Sequence, residues 1–159
     1  MRKSKIYIET SVISHLYAPD VPDKMAETLQ LWNEIKSGIY NIYISDVVIA
    51  EVERNSEDKR NCLTRYLSEI EYTNISINEE IRKYADELIR LGILSGKHIS
   101  DCLHIGAAVV YDCDMLLSWN FRHMVKVKTI NGIKSVSSLF GYKEMGIYPP
   151  SMIIERGEE

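Results

Sequence analysis

Short apolar runs alternate along this chain with longer segments whose apolar residues recur at helical spacing. Strands are predicted at Ile6–Ile8, Asn41–Ile44, Asn74–Ile77 and Met115–Ser118, with a fifth near either Val127–Ile130 or Gly146–Tyr148. Strands that alternate with helices usually form a parallel sheet covered on both faces. We therefore predict an α/β fold with three layers, α/β/α, around a central parallel sheet of about four to five strands.

The segments between these strands carry helix signals. Thr10 or Ser11 is placed to cap a helix that runs to about Tyr17, and Pro19 and Pro22 then break the chain. Further helices are predicted from about Met25 to Gly38, from Ser45 or Asp46 to about Arg54, within Ser56–Glu71, over Glu79–Leu91, and from a Ser100 cap through Asp101 to about Tyr111.

Length and charge limit the class of protein. A chain of 159 residues fits one domain, which we place at residues 1–154, followed by a short charged tail at residues 155–159. The net charge of −4 argues against a general nucleic-acid coat protein, although an enzyme that cuts nucleic acid remains compatible with it. Three cysteines without a CxxC motif disfavour a disulfide scaffold and structural zinc.

The hydrophobic segments are short. The longest are too short to cross a bilayer, and the apolar run at the start ends at Glu9, which is too early for a signal peptide. We therefore expect a cytoplasmic protein with no membrane partner.

Polar side chains stand where functional groups gather in parallel sheets, just beyond the carboxyl ends of the strands. Glu9 directly follows the first strand, and Asn120 follows the fourth by two residues. Glu51 lies on an apolar helix stripe with two valines, and Asp101 opens a helix that is otherwise nearly all apolar. A carboxylate on an apolar stripe is costly unless it is paired or bound to a metal.

Each of these four residues also has an ordinary explanation. Glu9 can cap a turn, Glu51 can reach water or an arginine from the edge of its stripe, Asp101 is favoured by the helix dipole, and Asn120 is a turn former. Taken together, clustered carboxylates repel one another unless a counter-ion is bound. Mg²⁺ and Mn²⁺ prefer such oxygen ligands. We therefore predict that all four form a catalytic metal site for Mg²⁺ or Mn²⁺, with one or two ions.

The same residues resemble the PIN domain family, and most of all its VapC-type toxins, over roughly Lys5 to Ile154. The family has a strand followed by Asp-Thr-Ser or Asp-Thr-Asn, and this chain has Ile6-Tyr7-Ile8-Glu9-Thr10-Ser11. Glu51 and Asp101 match the second and third acids of the family, and Ser118-Trp119-Asn120 stands where the family has Thr/Ser-x-Asp. The chain departs from the family at two positions: Glu9 stands where Asp is usual, and Asn120 stands where Asp or Asn-like polar residues vary.

The resemblance implies a metal-dependent endoribonuclease that cleaves RNA and is often paired with an antitoxin that covers its site. Thr10 and Ser118 are then expected to bind water or phosphate through their hydroxyls, with capping or strand-end hydrogen bonds as the alternative. Arg122 is expected to contact RNA phosphates, with a solvated surface position as the alternative.

Three histidines and a tryptophan near these motifs are ambiguous. His98 and His123 fit a solvated surface or a phosphate contact, and His104 fits a core or helix-face position better than a metal-ligand role. Trp119 fits packing at a strand end better than stacking on a base.

Two other functions stay open. The first is a non-catalytic PIN-like domain that binds RNA or protein, because Glu9 and Asn120 depart from the usual acids. The second, a phosphotransferase with an aspartyl nucleophile, is disfavoured because Glu9 occupies the position after the first strand where that class usually has Asp, and no Asp-x-Asp-x-Thr run is present there. We expect a homodimer, and one of the two amphipathic stripes within Glu57–Leu91 is a candidate homodimer face or antitoxin groove, with core packing as the ordinary alternative.

Overall fold

The computed structural model describes residues 2–155, which form a wholly parallel five-stranded sheet with seven α-helices. This confirms the predicted α/β class. Of the predicted charged tail, all but Glu155 lies outside the described residues.

The strands are β1 (Lys5–Ile8), β2 (Asn41–Ser45), β3 (Thr73–Ile75), β4 (Met115–Leu117) and β5 (Gly146–Tyr148). They lie in the order β3-β2-β1-β4-β5. The third strand ends earlier than predicted because the amide of Ile77 donates to the carboxylate of Asp46 and not to a neighbouring strand.

The helices are α1 (Thr10–Ser14), α2 (Pro22–Lys36), α3 (Asp46–Glu53), α4 (Glu57–Ser68), α5 (Glu79–Arg90), α6 (Ile99–Val110) and α7 (Val127–Phe140). Short 3-10 helices cover His15–Tyr17, Gly96–His98 and Pro150–Met152.

Of the two places predicted for the fifth strand, Gly146–Tyr148 is confirmed as β5, and Val127–Ile130 was wrong because these residues form the first turn of α7. β-branched residues are typical of strands, but Thr129, Ile133 and Val136 are buried at helical spacing. Pro22 was also misjudged, since it begins α2, where its missing N–H costs nothing.

Two predicted helix caps were wrong. Glu9, and not Thr10 or Ser11, caps α1, because its carboxylate accepts from the amide of Ser11. Ser100 lies inside α6, whose cap position is His98, because the preceding 3-10 helix leads directly into it.

The central strand is covered on both faces. Ile6, Tyr7 and Ile8 are all fully buried although successive strand residues point to opposite faces of a sheet. Helix α6 packs against β2 and β4 and is itself covered by α3 and α5. The apolar stripe of α5 is buried in this core, which supports core packing there and not a free docking face.

The order of the strands places a crevice between two of them. The chain moves outward from β1 to β2 and β3, then returns to the other side of β1 for β4 and β5. Ligands of open α/β sheets bind at the carboxyl ends of strands where this reversal occurs. Ile8 is in register with Leu117 at this edge, so the residues after β1 and β4 are neighbours.

Cys62, Cys102 and Cys113 are free thiols. No helix within residues 2–155 is long and apolar enough to cross a membrane.

Candidate functional site

Glu9 lies at the reversal point with its carboxylate turned into the protein. The residue is 5% exposed. One carboxylate oxygen accepts from the hydroxyls of Ser11 and Ser118, both at 2.6 Å, and the other accepts from the Ser11 amide at 2.8 Å. Glu9 therefore does cap a helix, as its ordinary explanation required, and these three donors also fix the position of its charge.

Glu51 is half-buried on α3 and is held by two side chains. Its Oε1 accepts from the Thr10 hydroxyl at 2.8 Å and lies 2.6 Å from Nε2 of His104. Burial alone would raise the pKa of Glu51, but the hydrogen bonds from His104 and Thr10 hold it below its ordinary value. Glu51 is thus kept ionised at the site.

His104 is fully buried and is hydrogen-bonded at both ring nitrogens. Its Nδ1 lies 2.7 Å from the Tyr7 hydroxyl, which lies 2.7 Å from the hydroxyl of Ser45. A ring proton on Nε2 donates to Glu51 and leaves Nδ1 to accept from Tyr7, which satisfies every polar atom in the row. Burial raises the pKa of Tyr7 well above its ordinary value, so the phenol keeps its proton.

Sequence reasoning placed His104 correctly in the core but missed that it supports Glu51. The available signal was its spacing of three residues from Asp101, which puts both on one side of α6.

Asp101 stands in the first turn of α6, as predicted, and the charges of the other two acids affect its pKa. Burial raises the pKa of Asp101 above its ordinary value, and the charge of Glu9 and, to a smaller extent, that of Glu51 raise it further. His104 and His98 oppose this rise. The charges of Glu9 and Glu51, which come from separate parts of the chain, therefore both act on Asp101.

Asn120 is used differently from the three acids. Its Oδ1 accepts from the His123 amide at 3.0 Å, and its backbone carbonyl accepts from Met124 and Val125. These bonds are those of a turn former, the ordinary alternative. Within residues 2–155 its side chain makes no hydrogen bond to Glu9, Glu51 or Asp101.

Thr10 and Ser118 both bind acids. Ser118 is fully buried, donates to Glu9 and accepts from the Asn120 amide at 2.9 Å. Its hydroxyl proton is therefore committed, which argues against the predicted contact with water or phosphate and favours the strand-end alternative. Thr10 is half-buried and donates to Glu51.

Trp119 packs inside the protein, as the sequence favoured. It is 6% exposed, and its Nε1 donates to the Thr28 hydroxyl at 2.9 Å. A base cannot stack on a ring that is covered in this way.

Arg122 is exposed beside two stacked histidines. The ring centroids of His98 and His123 lie 3.9 Å apart. Burial lowers the pKa of His123, and the nearby charges of His98, Lys126, Arg122 and Lys97 lower it further. Cationic groups thus gather beside the acids.

The donor set fits a hard divalent cation in kind. Mg²⁺ takes oxygen ligands and usually keeps several waters, so it needs few direct protein ligands. The pKa of Asp101 is raised first by burial and then by the charge of Glu9, and a counter-ion would offset both effects. In the part of the chain that is described, however, no three His, Cys, Asp or Glu side chains are already close enough to enclose an ion.

Comparison with known proteins identifies the group to which these features belong. The sequence pattern of the PIN domain matches residues 6–125. Among solved structures, a chain of VapBC2 from Rickettsia felis, bound to a DNA fragment from their promoter, has a TM-score of 0.58. It shares 14% identity, and the match covers 91% of this chain and 98% of that one. No curated protein gives a significant match.

Proposed function

Because the chain belongs to the PIN domain family, whose members are generally nucleases, we propose that it is a metal-dependent endoribonuclease that cleaves RNA phosphodiester bonds. The observation that carries the proposal is the placement of three carboxylates: Glu9 directly follows β1, Glu51 lies on α3, and Asp101 lies in the first turn of α6, close enough for Glu9 and Glu51 to affect its charge. Acids that come from β1, α3 and α6 and repel one another at the carboxyl edge of a parallel sheet are typical of a cation site.

Glu9, Glu51 and Asp101 are the residues that we propose hold Mg²⁺ or Mn²⁺, directly or through water. A divalent ion at such a site lowers the pKa of a bound water and stabilises the charge that develops on a phosphate. We also propose that Asn120 orients a bound water. Its Oδ1 is used in the turn, so its side-chain nitrogen would make this contact.

The chain's own side chains hold the carboxylates in place. Thr10 and His104 fix Oε1 of Glu51, and within residues 2–155 the other carboxylate oxygen accepts no hydrogen bond. Ser11 and Ser118 fix Glu9. Arg122 is exposed next to the site, where it supports a contact with RNA phosphate.

The test is an RNA cleavage assay with purified protein. We expect cleavage with added Mn²⁺ or Mg²⁺ and none with EDTA. Asp101→Asn is expected to abolish cleavage, while Asp58→Asn is expected to leave it unchanged. Asp58 is a matched control because it is also an acid in the first turn of a helix, α4, and it is exposed.

The same purification applied to all variants removes contaminating ribonuclease as an explanation. If Asp101→Asn cuts RNA as fast as the parent protein, the proposal is wrong.

We further propose that the protein is the toxin of a toxin–antitoxin pair and acts in the cytoplasm. The support is the likeness of its fold to a chain of VapBC2, since that complex is described with DNA from their promoter. The product of the neighbouring gene, if it is the antitoxin, should co-purify with this chain and suppress RNA cleavage. Sedimentation of the isolated chain tests the predicted homodimer.

A second candidate function is a non-catalytic domain that binds RNA or protein. Both carboxylate oxygens of Glu9 already accept hydrogen bonds, and Oδ1 of Asn120 is used in its turn. These observations favour a site that does not bind a metal ion. Calorimetric titration with Mn²⁺ distinguishes the two functions, because a degenerate site gives no saturable binding at millimolar Mn²⁺.

A further inference from the structure

A cleft with a volume of about 370 Å³ opens beside the acids, between the segment that leads into α6 and the segment that leads into α7. Four of its lining residues carry basic groups: His98, His123, Lys126 and Lys128. None of the described residues that line it is acidic. The cleft is therefore basic on a chain whose net charge is −4.

These cations are not neutralised. Within residues 2–155, neither Lys126 nor Lys128 has a carboxylate within 4.0 Å, and the same is true of the neighbouring Lys97 and Arg122. Uncompensated charges in a concave surface attract anions more strongly than the same charges on a flat one.

A larger cavity at the opposite edge of the sheet provides a contrast. It also contains two lysines, Lys3 and Lys36, but Glu69 and Glu71 line it as well, and Lys36 pairs with Glu69 at 3.4 Å. Its charges are balanced, so it lacks the basic character of the cleft beside the acids.

The position of the two lysines disfavours a purely structural role. Lys126 is the cap residue of α7, where its side chain makes no capping hydrogen bond, and Lys128 lies in the first turn. Cations at a helix N-terminus oppose the helix dipole by a few tenths of a kcal/mol or more. A bound anion at the same place offsets this cost because it interacts favourably with both the lysines and the helix.

The walls of the cleft are tied to the acidic site at two points. Nδ1 of His98 lies 4.0 Å from Oδ2 of Asp101, and the amide of His123 donates to Asn120. The rings of His98 and His123, whose centroids lie 3.9 Å apart, therefore belong both to the wall of the cleft and to the surroundings of Asp101 and Asn120. A phosphate polymer bound at Asp101 would have a neighbouring phosphate close to this wall.

We infer that the cleft formed by His98, His123, Lys126 and Lys128 binds a backbone phosphate of a single-stranded RNA, adjacent to the phosphate at the carboxylate site. This rests on the proposed function and adds the path of the substrate to it. An acidic protein segment is the competing ligand, but RNA is favoured because His98, which lines the cleft, lies 4.0 Å from Asp101, where phosphodiester chemistry is proposed.

The test compares two double variants of the full chain. Lys126→Gln with Lys128→Gln removes both cleft lysines, and Lys3→Gln with Lys36→Gln makes the same change in net charge at the opposite edge. All four lysines are exposed, so each double variant should have a melting temperature close to that of the parent. The melting temperatures of all three proteins are measured together.

Binding of a short fluorescent single-stranded RNA is measured by anisotropy in EDTA at several salt concentrations. We expect the cleft variant to bind about tenfold more weakly and the control to stay within about twofold of the parent. Each lost phosphate contact should reduce the slope of log K against log salt by about 0.7. The inference is overturned if the parent binds no RNA, if both variants lose affinity equally, or if only binding of an acidic polypeptide is lost.

Cleavage assays on the same proteins separate this inference from the nuclease proposal. If the parent cuts RNA and the cleft variant cuts and binds it equally well, the phosphate subsite is wrong and the nuclease stands. If no protein cuts RNA but the cleft variant alone loses RNA binding, the nuclease proposal fails and the subsite stands.

Discussion

Nε2 of His104 lies 2.6 Å from Oε1 of Glu51, and the imidazole that makes this contact is completely buried. The contact joins α6, which carries Asp101, to α3, which carries Glu51. A hydrogen bond to an ionised group is stronger than one between neutral groups, so this pair both connects two helices and sets the orientation of a site carboxylate.

Replacement of His104 should therefore lower stability and activity together. His104→Leu leaves the Tyr7 hydroxyl without its buried acceptor, which should cost about 1–3 kcal/mol in the free energy of unfolding. It should also reduce RNA cleavage at least tenfold, because Glu51 loses a partner that orients it. His104→Gln keeps a donor for Glu51 and should recover part of the activity, as measured at saturating Mn²⁺.

The stability difference between parent and His104→Leu should depend on pH. The folded-state pKa of Glu51 is held below its ordinary value, so its contribution to stability is present above that ordinary value, about 4.3, and is lost as the pH falls through the lowered pKa. The difference between the urea denaturation midpoints of the parent and of His104→Leu should therefore become smaller as the pH falls below about 4.3. A gap that is constant with pH would show that the His104 contact does not act through the charge of Glu51.

The contribution of Asp101 to stability depends on pH in the opposite direction from that of Glu51. Its folded-state pKa is raised by burial and then by Glu9 and Glu51, so the protonated form is favoured in the folded protein. Stability linked to this group is fully present below about pH 3.9, the ordinary value, and is lost as the pH rises through the raised pKa. In metal-free buffer at pH 7, Asp101→Asn should therefore raise the melting temperature relative to the parent.

Added Mn²⁺ should reverse that ranking. An ion that binds only the folded parent stabilises it in proportion to the logarithm of ion concentration over Kd. The parent should melt at a higher temperature with Mn²⁺, and Asp101→Asn should not respond. A parent whose melting temperature is the same with EDTA and with millimolar Mn²⁺ argues for the non-catalytic function.

The fold was largely predictable because its signals are local. Buried runs such as Ile6–Ile8 alternate with amphipathic helices, and that alternation is enough to predict a parallel sheet and to place Glu9 at its carboxyl edge. The alternation did not distinguish Val127–Ile130, where β-branched residues in a helix resemble a strand over a short window.

The candidate site was predictable only in its acids. Glu9, Glu51 and Asp101 stood out because a carboxylate is unexpected beside apolar neighbours. The partners of these acids were not visible, because Ser118 and Glu9 are separated by 109 residues and His104 and Glu51 by 53. Such contacts depend on the register of β4 against β1 and on the packing of α6 against α3, which no local pattern specifies.

Asp114 provides a prediction at the other edge of the sheet. Its carboxylate accepts from the Lys5 amide at 2.7 Å and pairs with Lys143 at 2.9 Å and with Arg2 at 2.7 Å. Burial opposes ionisation, but these three donors lower the pKa of Asp114 to about 2. Its contribution to stability is present above about pH 3.9 and is lost as the pH falls toward 2.

Asp114→Asn should therefore destabilise the protein at pH 7 by about 1–2 kcal/mol, since the group is partly exposed and its ion pairs are screened by solvent. The loss should shrink in acid, as measured by urea denaturation across pH. RNA cleavage at 25 °C should remain that of the parent, because Asp114 lies at the amino-terminal edge of the sheet. Cleavage that falls with this substitution while the protein stays folded would contradict the placement of the active edge.

Glu9 allows the metal assignment to be tested apart from its role as a helix cap. Its carboxylate accepts from three donors, and Glu9→Gln replaces one accepting oxygen by an NH₂ group, so one donor loses its partner and stability should fall by about 1–3 kcal/mol. Glu9→Asp keeps the charge and remains a favourable cap for the amide of Ser11, although it is too short to reach Ser118 as well.

The two Glu9 variants should therefore separate in Mn²⁺ binding. Glu9→Asp should bind Mn²⁺ with an affinity within a few fold of the parent. Glu9→Gln should bind Mn²⁺ at least about tenfold more weakly, because a neutral amide carries no negative charge to attract the ion. Isothermal titration with Mn²⁺ measures the affinity of both variants. Ser118→Ala is the control, because it removes one hydrogen bond to Glu9 and leaves the charge of Glu9 intact. Equal affinities in the Asp and Gln variants would remove Glu9 from the metal site and leave it only as the cap of α1.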